Sequence, residues 1–152
     1  MLRPVLGLLF LATTATAVIP EYFGIGFSHI LPSGLDHILF ILALFFLTRN
    51  FGILLFQMTL FTLAHSLTLG LSLYGFVHVP SAPVEIAIAL SIAFVAAENL
   101  FSDKISRWRP WVVFASGLVH GLGFAHSFEQ RVVESENFLP ALFSFNMGIE
   151  FG

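Results

Sequence analysis

The feature that most constrains this chain is a series of long apolar runs, separated by short stretches that hold most of the charged residues. Only 10% of the 152 residues are charged, whereas a soluble domain of this size has about a quarter. So few charges cannot cover a globular surface, and about 20 apolar residues span a bilayer as a helix. The sequence therefore predicts an all-α fold, a polytopic transmembrane helix bundle.

The N-terminal residues have the three parts of a secretory signal. Arg3 supplies the positive charge, Val5 to Ala12 form a short apolar core, and Ala15-Thr16-Ala17 is a small-x-small cleavage site. We therefore expect residues 1–17 to be a signal peptide and residues 18–152 to form a single transmembrane helical domain. The alternative is an uncleaved first helix.

About five transmembrane helices are expected after this signal, and three of them have a proline near the start, where its missing N–H costs no hydrogen bond. They are Ser33–Leu47, Phe51–Val77, Pro83–Phe101, Pro110–Phe128 and Phe138–Gly152. The last would be about 22 Å long at 1.5 Å per residue, which is shorter than a hydrocarbon core of about 30 Å. We therefore expect the natural protein to continue beyond Gly152.

The charges between the apolar runs predict the orientation. Arg49 follows the first helix, and three basic residues lie between the third and the fourth: Lys104, Arg107 and Arg109. Because Lys and Arg mark the cytoplasmic side, the first helix should begin outside, where signal cleavage would also leave the new N-terminus. We expect a multi-pass protein of the bacterial inner (plasma) membrane with the N-terminus of the mature chain outside.

Polar and ionisable side chains recur inside the apolar runs, where they are costly and usually mark function. With the orientation above they form a ladder from the outer side to the midplane, which consists of His29, Asp36, His37, His65, Glu85, His120, Asn146 and Glu150. Asn146 and Glu150 are four residues apart and share a helix face. Imidazole and carboxylate donors suit nickel, cobalt and zinc. The sequence therefore predicts a site for a divalent transition metal.

Structural alternatives exist for several of these residues. A mid-span His such as His65 can serve only to hydrogen-bond a neighbouring helix. Gly117 and Gly121, beside His120, form a small-residue face that favours helix packing. Glu98 lies near the inner end of the third helix and is expected to reach the lipid headgroups. The joint occurrence of so many metal-binding residue types favours the metal site over these alternatives.

At these residues the sequence resembles the HupE/UreJ family of membrane proteins. The matching stretches are Gly26–Ile30, Gly34–Phe40, Phe61–Leu69, Val84–Ser91, Gly117–Ala125 and Phe145–Glu150. The family is associated with hydrogenase and urease gene clusters and is regarded as nickel or cobalt permeases. The resemblance implies that the eight ladder residues handle the metal as substrate, with no catalytic residues and no cofactor-binding site.

We therefore predict a permease or binding protein for nickel or cobalt, with zinc also suited to the donors, which captures the ion from the outer face. The expected partners are the lipid bilayer and the metal ion, and a homo-oligomer or an accessory protein stays open. No basic patch points to nucleic acid. One alternative is a membrane-embedded zinc-dependent hydrolase, with three His and an Asp around zinc and an open water position. Another is a non-catalytic membrane assembly subunit.

Cysteines introduced at two loop positions test the orientation, because the chain has no native Cys. Arg49→Cys should react with a membrane-impermeant thiol reagent only from the cytoplasmic side, since basic loops are retained there. Val79→Cys should react only from outside. Labelling of intact cells and of inverted vesicles measures both, and reaction of both positions from outside would overturn the orientation.

Overall fold

The computed structural model describes residues 19–102, 104–128 and 138–152. Every regular element in these ranges is an α-helix, as predicted. In chain order the helices are α1 (Ile19–Ile30), α2 (Leu35–Leu47), α3 (Phe51–Leu73), α4 (Ser81–Phe101), α5 (Arg109–Phe128) and α6 (Phe138–Phe151). The predicted signal peptide, residues 1–17, lies outside the described residues.

The helix boundaries agree with the sequence prediction at most positions but differ at two. Helix α1 was not predicted, because its apolar run is shorter than a membrane span. Helix α3 ends at Leu73 rather than Val77. Three prolines lie in the first turns of α4, α5 and α6, as expected: Pro83, Pro110 and Pro140.

The early end of α3 has a local cause. Gly75 has a φ of 76°, which lies in the left-handed region that commonly ends helices. The Phe76 N–H donates to the Leu71 carbonyl oxygen at 2.9 Å, and the Gly75 N–H donates to the Ser72 carbonyl oxygen at 2.9 Å. These two bonds make a Schellman motif. The motif satisfies the last carbonyls of the helix and turns the chain into the following loop.

Two to three candidate membrane spans are recognised by length and composition among the described helices, so the count of five stays a prediction. Helices α3 and α4 are long and apolar enough to cross a membrane, and Ile19–Ile30 with Leu35–Leu47 make a third candidate if they are counted as one span. Large apolar side chains are exposed on both long helices, including Phe56, Leu63 and Phe94. Such exposure is typical of a surface that contacts lipid tails. The described residues therefore contain two to three candidate spans.

The chain divides into two compact units, which are described separately. The described helices of the first unit, α1 and α6, fall within Met1–Ser33 and Val133–Gly152. They touch through glycine: a Cβ added at Gly26 would clash with the Phe145 carbonyl oxygen, and one at Gly148 would clash with the Phe23 carbonyl oxygen. Small residues thus allow the two backbones to approach closely, as is common between membrane helices.

The second unit, Gly34–Val132, contains α2 to α5. Helix α3 packs against α5, and α4 packs against both α2 and α5. Gly117 faces Phe61 and Gly121 faces His65, so α3 and α5 run in the same direction. The buried core of this unit consists of Phe40, Ala43, Leu44, Phe61, Val95 and Val113.

The contact between α3 and α5 leaves no room for side chains at its centre. A Cβ at Gly121 would clash with the His65 carbonyl oxygen, and one at Gly117 would lie against the Phe61 backbone. The Thr68 hydroxyl donates to the Leu118 carbonyl oxygen at 2.7 Å across the same contact. These interactions hold the two helices at one register.

Replacing Gly121 with Ala should destabilise the protein, because the methyl group forces two backbones apart and overpacking of this kind costs about 1–3 kcal/mol. Thermal unfolding in detergent should show a lower Tm for Gly121→Ala. Gly24→Ala is the matched control, since a Cβ at Gly24 meets nothing within 4 Å and Ala favours a helix over Gly. An unchanged Tm for Gly121→Ala would contradict the described packing of α3 on α5.

Candidate metal centre

A carboxylate lies between two imidazoles in the second unit. Asp36 and His37 are in the first turn of α2, and His120 is in the second half of α5. His37 Nδ1 is 3.1 Å from Asp36 Oδ1, and His120 Nδ1 is 3.6 Å from Asp36 Oδ2. One ligand atom from each of the three residues lies within 4.8 Å of the others. A single cation could therefore contact all three side chains.

A third imidazole lies beside this group. The ring centroid of His65, on α3, is 5.7 Å from that of His37, and the centroids of His37 and His120 are 5.0 Å apart. All three imidazoles are buried, with at most 3% of their surface exposed. Gly121 allows α5 to touch the backbone of His65, so the imidazoles of α3 and α5 lie at one level. His37, at the start of α2, lies beside both of them.

Aromatic side chains surround the imidazoles. The Phe61 ring lies edge-on to His37 at 5.6 Å and 5.0 Å from His120. Phe40 is 5.7 Å from His120, and Phe124 is 6.2 Å from His65. These aromatic side chains lower the local dielectric constant, which strengthens the attraction between a carboxylate and a cation.

A hydroxyl group contacts the far side of His120. Ser91 Oγ, on α4, is 3.2 Å from His120 Nε2 and also donates to the Ile88 carbonyl oxygen at 2.8 Å. Sequence reasoning did not identify Ser91, because one small polar residue in an apolar helix has no distinguishing spacing. The candidate centre thus involves all four helices of the second unit.

Of the other predicted residues, one belongs to the second unit and three belong to the first. Glu85 is exposed near the start of α4 and does not belong to the Asp36–His37–His120 group. His29 on α1, and Asn146 and Glu150 on α6, belong to the first unit, where the His29 ring lies 5.9 Å from that of Phe145. The structure brings together four ladder residues in the second unit: Asp36, His37, His65 and His120.

A second polar cluster in this unit was not predicted. Arg109, the first residue of α5, is fully buried. Its Nη1 donates to Glu98 Oε2 at 3.1 Å and to Asn99 Oδ1 at 3.2 Å. Its Nη2 donates to the Ala43 carbonyl oxygen at 3.1 Å. Glu98 therefore pairs with Arg109, contrary to the expectation that it reaches the headgroups, and Arg109 is not a loop charge.

The family comparison agrees with the resemblance seen in the sequence. The family model described as HupE / UreJ protein matches residues 8–152, nearly the whole chain. No curated protein and no solved structure matches the chain significantly. The family match extends along nearly the whole sequence and is not confined to isolated motifs.

Removing the buried guanidinium should destabilise the second unit. Arg109→Gln leaves the Glu98 carboxylate without its cation, and breaking a buried ion pair on one side costs on the order of 3 kcal/mol. The Tm in detergent should therefore fall. Arg107→Gln is the control, because Arg107 is exposed two residues earlier and its loss should change little. Equal Tm values for the two variants would show that the Arg109–Glu98 pair adds no stability.

Proposed function

The chain belongs to the HupE/UreJ family, and on that premise we propose that it is a membrane permease for a divalent transition metal, with nickel as the first substrate and cobalt as the second. The family is associated with nickel and cobalt transport. The observation that carries the proposal is the Asp36 carboxylate, which lies between His37 and His120 inside the helix bundle.

The donor chemistry supports a transition metal. Two neutral imidazoles and one carboxylate offer nitrogen and oxygen ligands, which suit nickel, cobalt and zinc. The carboxylate balances half of the charge of a divalent ion in an apolar environment, where an uncompensated charge is costly. With no Cys in the sequence, thiolate sites for softer metals are excluded.

The number of donors supports transport rather than permanent binding. Structural metal sites are usually closed by four protein ligands. The group of Asp36, His37 and His120 offers three, so positions remain for water or for ligand exchange with His65 nearby. An ion held in this way can be passed on, as a permease requires.

The proposal includes the membrane arrangement. Helices α2 to α6 would be the five spans, residues 18–152 one transmembrane domain, and residues 1–17 a cleaved signal of a bacterial inner-membrane protein, with the mature N-terminus outside. The loop charges support this orientation. Four further residues stay in the proposed metal-handling set because the resemblance implies them: His29, Glu85, Asn146 and Glu150.

The hydrolase alternative has less support. Ser66, next to His65, could assist such a hydrolase, but it donates its hydroxyl proton to the Thr62 carbonyl oxygen of its own helix at 2.6 Å. That hydroxyl serves the helix backbone, as buried Ser in helices often does. The HupE/UreJ family is also a transporter-type family.

Removing the proposed ligands should weaken nickel binding. His37→Ala and His65→Ala each remove an imidazole donor and should lower the affinity by about tenfold or more. Asp36→Asn should weaken binding as well, because it removes the charge that balances the ion. Equilibrium dialysis or calorimetric titration of the detergent-solubilised protein with nickel, cobalt and zinc measures the affinities, and nickel uptake by proteoliposomes tests transport.

His78→Ala is the control, because His78 is exposed in the loop after α3 and its loss should leave the affinity unchanged. Since a protonated imidazole cannot bind a cation, the affinity of the unaltered protein should also fall at a pH acidic enough to protonate the imidazoles. Full-strength, pH-independent binding in a His37→Ala/His65→Ala variant would show that these residues pack the bundle and do not bind metal.

A further inference from the structure

We propose that Ser91 is a positioning residue that selects the tautomer of His120, so that Nδ1 of His120 is the atom that binds the metal. The inference rests on the proposed function for the identity of the metal, but the tautomer is a property of the metal-free protein. It assigns a role to α4, which contributes no ligand to the group of Asp36, His37 and His120.

The direction of the hydrogen bonds at Ser91 follows from its two contacts. A hydroxyl has one proton to donate and two lone pairs that accept. Ser91 Oγ donates to the Ile88 carbonyl oxygen at 2.8 Å, so its proton is already used. With the proton on that bond, the contact with His120 Nε2 at 3.2 Å runs the other way, with an Nε2–H that donates to the oxygen.

A neutral imidazole with its proton on Nε2 has a lone pair on Nδ1. The His120 Nδ1 atom is buried and has no hydrogen-bond partner within the described residues. It faces Asp36 Oδ2 at 3.6 Å, which is too long for a hydrogen bond. Two electron-rich atoms therefore face each other inside the protein, and a cation between them would turn this repulsion into attraction.

The distance between these two atoms suits a shared ion. Ligand atoms about 2.1 Å from one metal lie about 3.0 Å apart in octahedral geometry and about 3.4 Å apart in tetrahedral geometry. The observed 3.6 Å would need to shorten by only a few tenths of an ångström. His120 Nδ1 and Asp36 Oδ2 are therefore placed as neighbouring ligands.

The arrangement has a general physical basis. A histidine that binds a metal usually donates its other ring N–H to a carboxylate, a carbonyl or a water, and this bond fixes the ring and the tautomer. In this protein a serine hydroxyl from the neighbouring helix would do so. In the competing arrangement the ring proton of His120 is on Nδ1, toward Asp36. The Ser91 hydroxyl then donates to His120 Nε2 and not to the Ile88 carbonyl oxygen.

The first test measures nickel affinity. Ser91→Ala removes the acceptor of the Nε2–H and should lower the affinity about 10- to 100-fold, as is usual when such a partner is lost. Ser91→Thr keeps a hydroxyl that can still bond to the preceding turn and should restore most of the affinity. Equal nickel affinity for Ser91→Ala and the unaltered protein would overturn the inference.

Ser116→Ala is the matched control. The Ser116 hydroxyl also donates to a carbonyl of its own helix, that of Val112 at 2.8 Å, and it lies on the same helix as His120. Its loss should leave nickel affinity unchanged. If Ser116→Ala weakened binding as much as Ser91→Ala, the effect would come from the loss of any buried hydroxyl and the inference would fail.

The second test needs no metal. Nitrogen chemical shifts of ¹⁵N-histidine in the metal-free protein distinguish protonated from unprotonated ring nitrogens, and His120→Gln identifies the signals of His120 among the six histidines. We expect Nε2 to be protonated in the unaltered protein and the two tautomers to mix in Ser91→Ala. A proton on Nδ1 in the unaltered protein would overturn the inference.

If the protein bound no nickel but showed the expected tautomer, the proposed function would fail while the role of Ser91 in selecting the tautomer would stand.

Discussion

The close backbone contact between α3 and α5 is the interaction on which the candidate metal centre depends. Gly117 and Gly121 present no side chain to α3, so the two backbones meet at Phe61 and His65. Because the helices run in the same direction, this contact places His65 and His120 at one level, and the bond from Thr68 to the Leu118 carbonyl oxygen maintains the register. Larger residues at the two glycines would separate the imidazoles, whatever their own chemistry.

The second unit contains two polar clusters that satisfy their charges in different ways. Arg109 is paired with Glu98 and Asn99 and with a backbone carbonyl, so its charge is compensated within the protein. The centre at Asp36 instead leaves His120 Nδ1 facing a carboxylate oxygen. The two clusters are 11 residues apart along α5, about 16 Å, and apolar core residues such as Val113 lie between them. The compensated charge of Arg109 is typical of a structural ion pair. The uncompensated carboxylate and ring nitrogen near Asp36 are typical of a site for a cation.

Much of the fold could be predicted from the sequence. Helix starts followed from prolines and ends from the polar loops, since these depend on local chemistry. The turn at Gly75 that ends α3 was also a local signal, which the prediction overlooked because it followed the apolar run to Val77. The pair of Glu98 and Arg109 was missed for a different reason. Glu98 was assigned to the lipid headgroups and Arg109 to the loop, although the end of α4 and the start of α5 adjoin.

The sequence by itself determined the helical class, the family and the residue types that can bind a metal, because composition and spacing along one chain express these properties directly. Only the tertiary structure decided which of those residues meet. It grouped Asp36, His37, His65 and His120, left Glu85 exposed, and added Ser91. The physical reason is that spacing within a helix sets which residues share a face, whereas the distance between faces depends on how closely the helices pack. That distance, together with the direction of a single hydroxyl proton, decides which nitrogen of His120 is available to an ion.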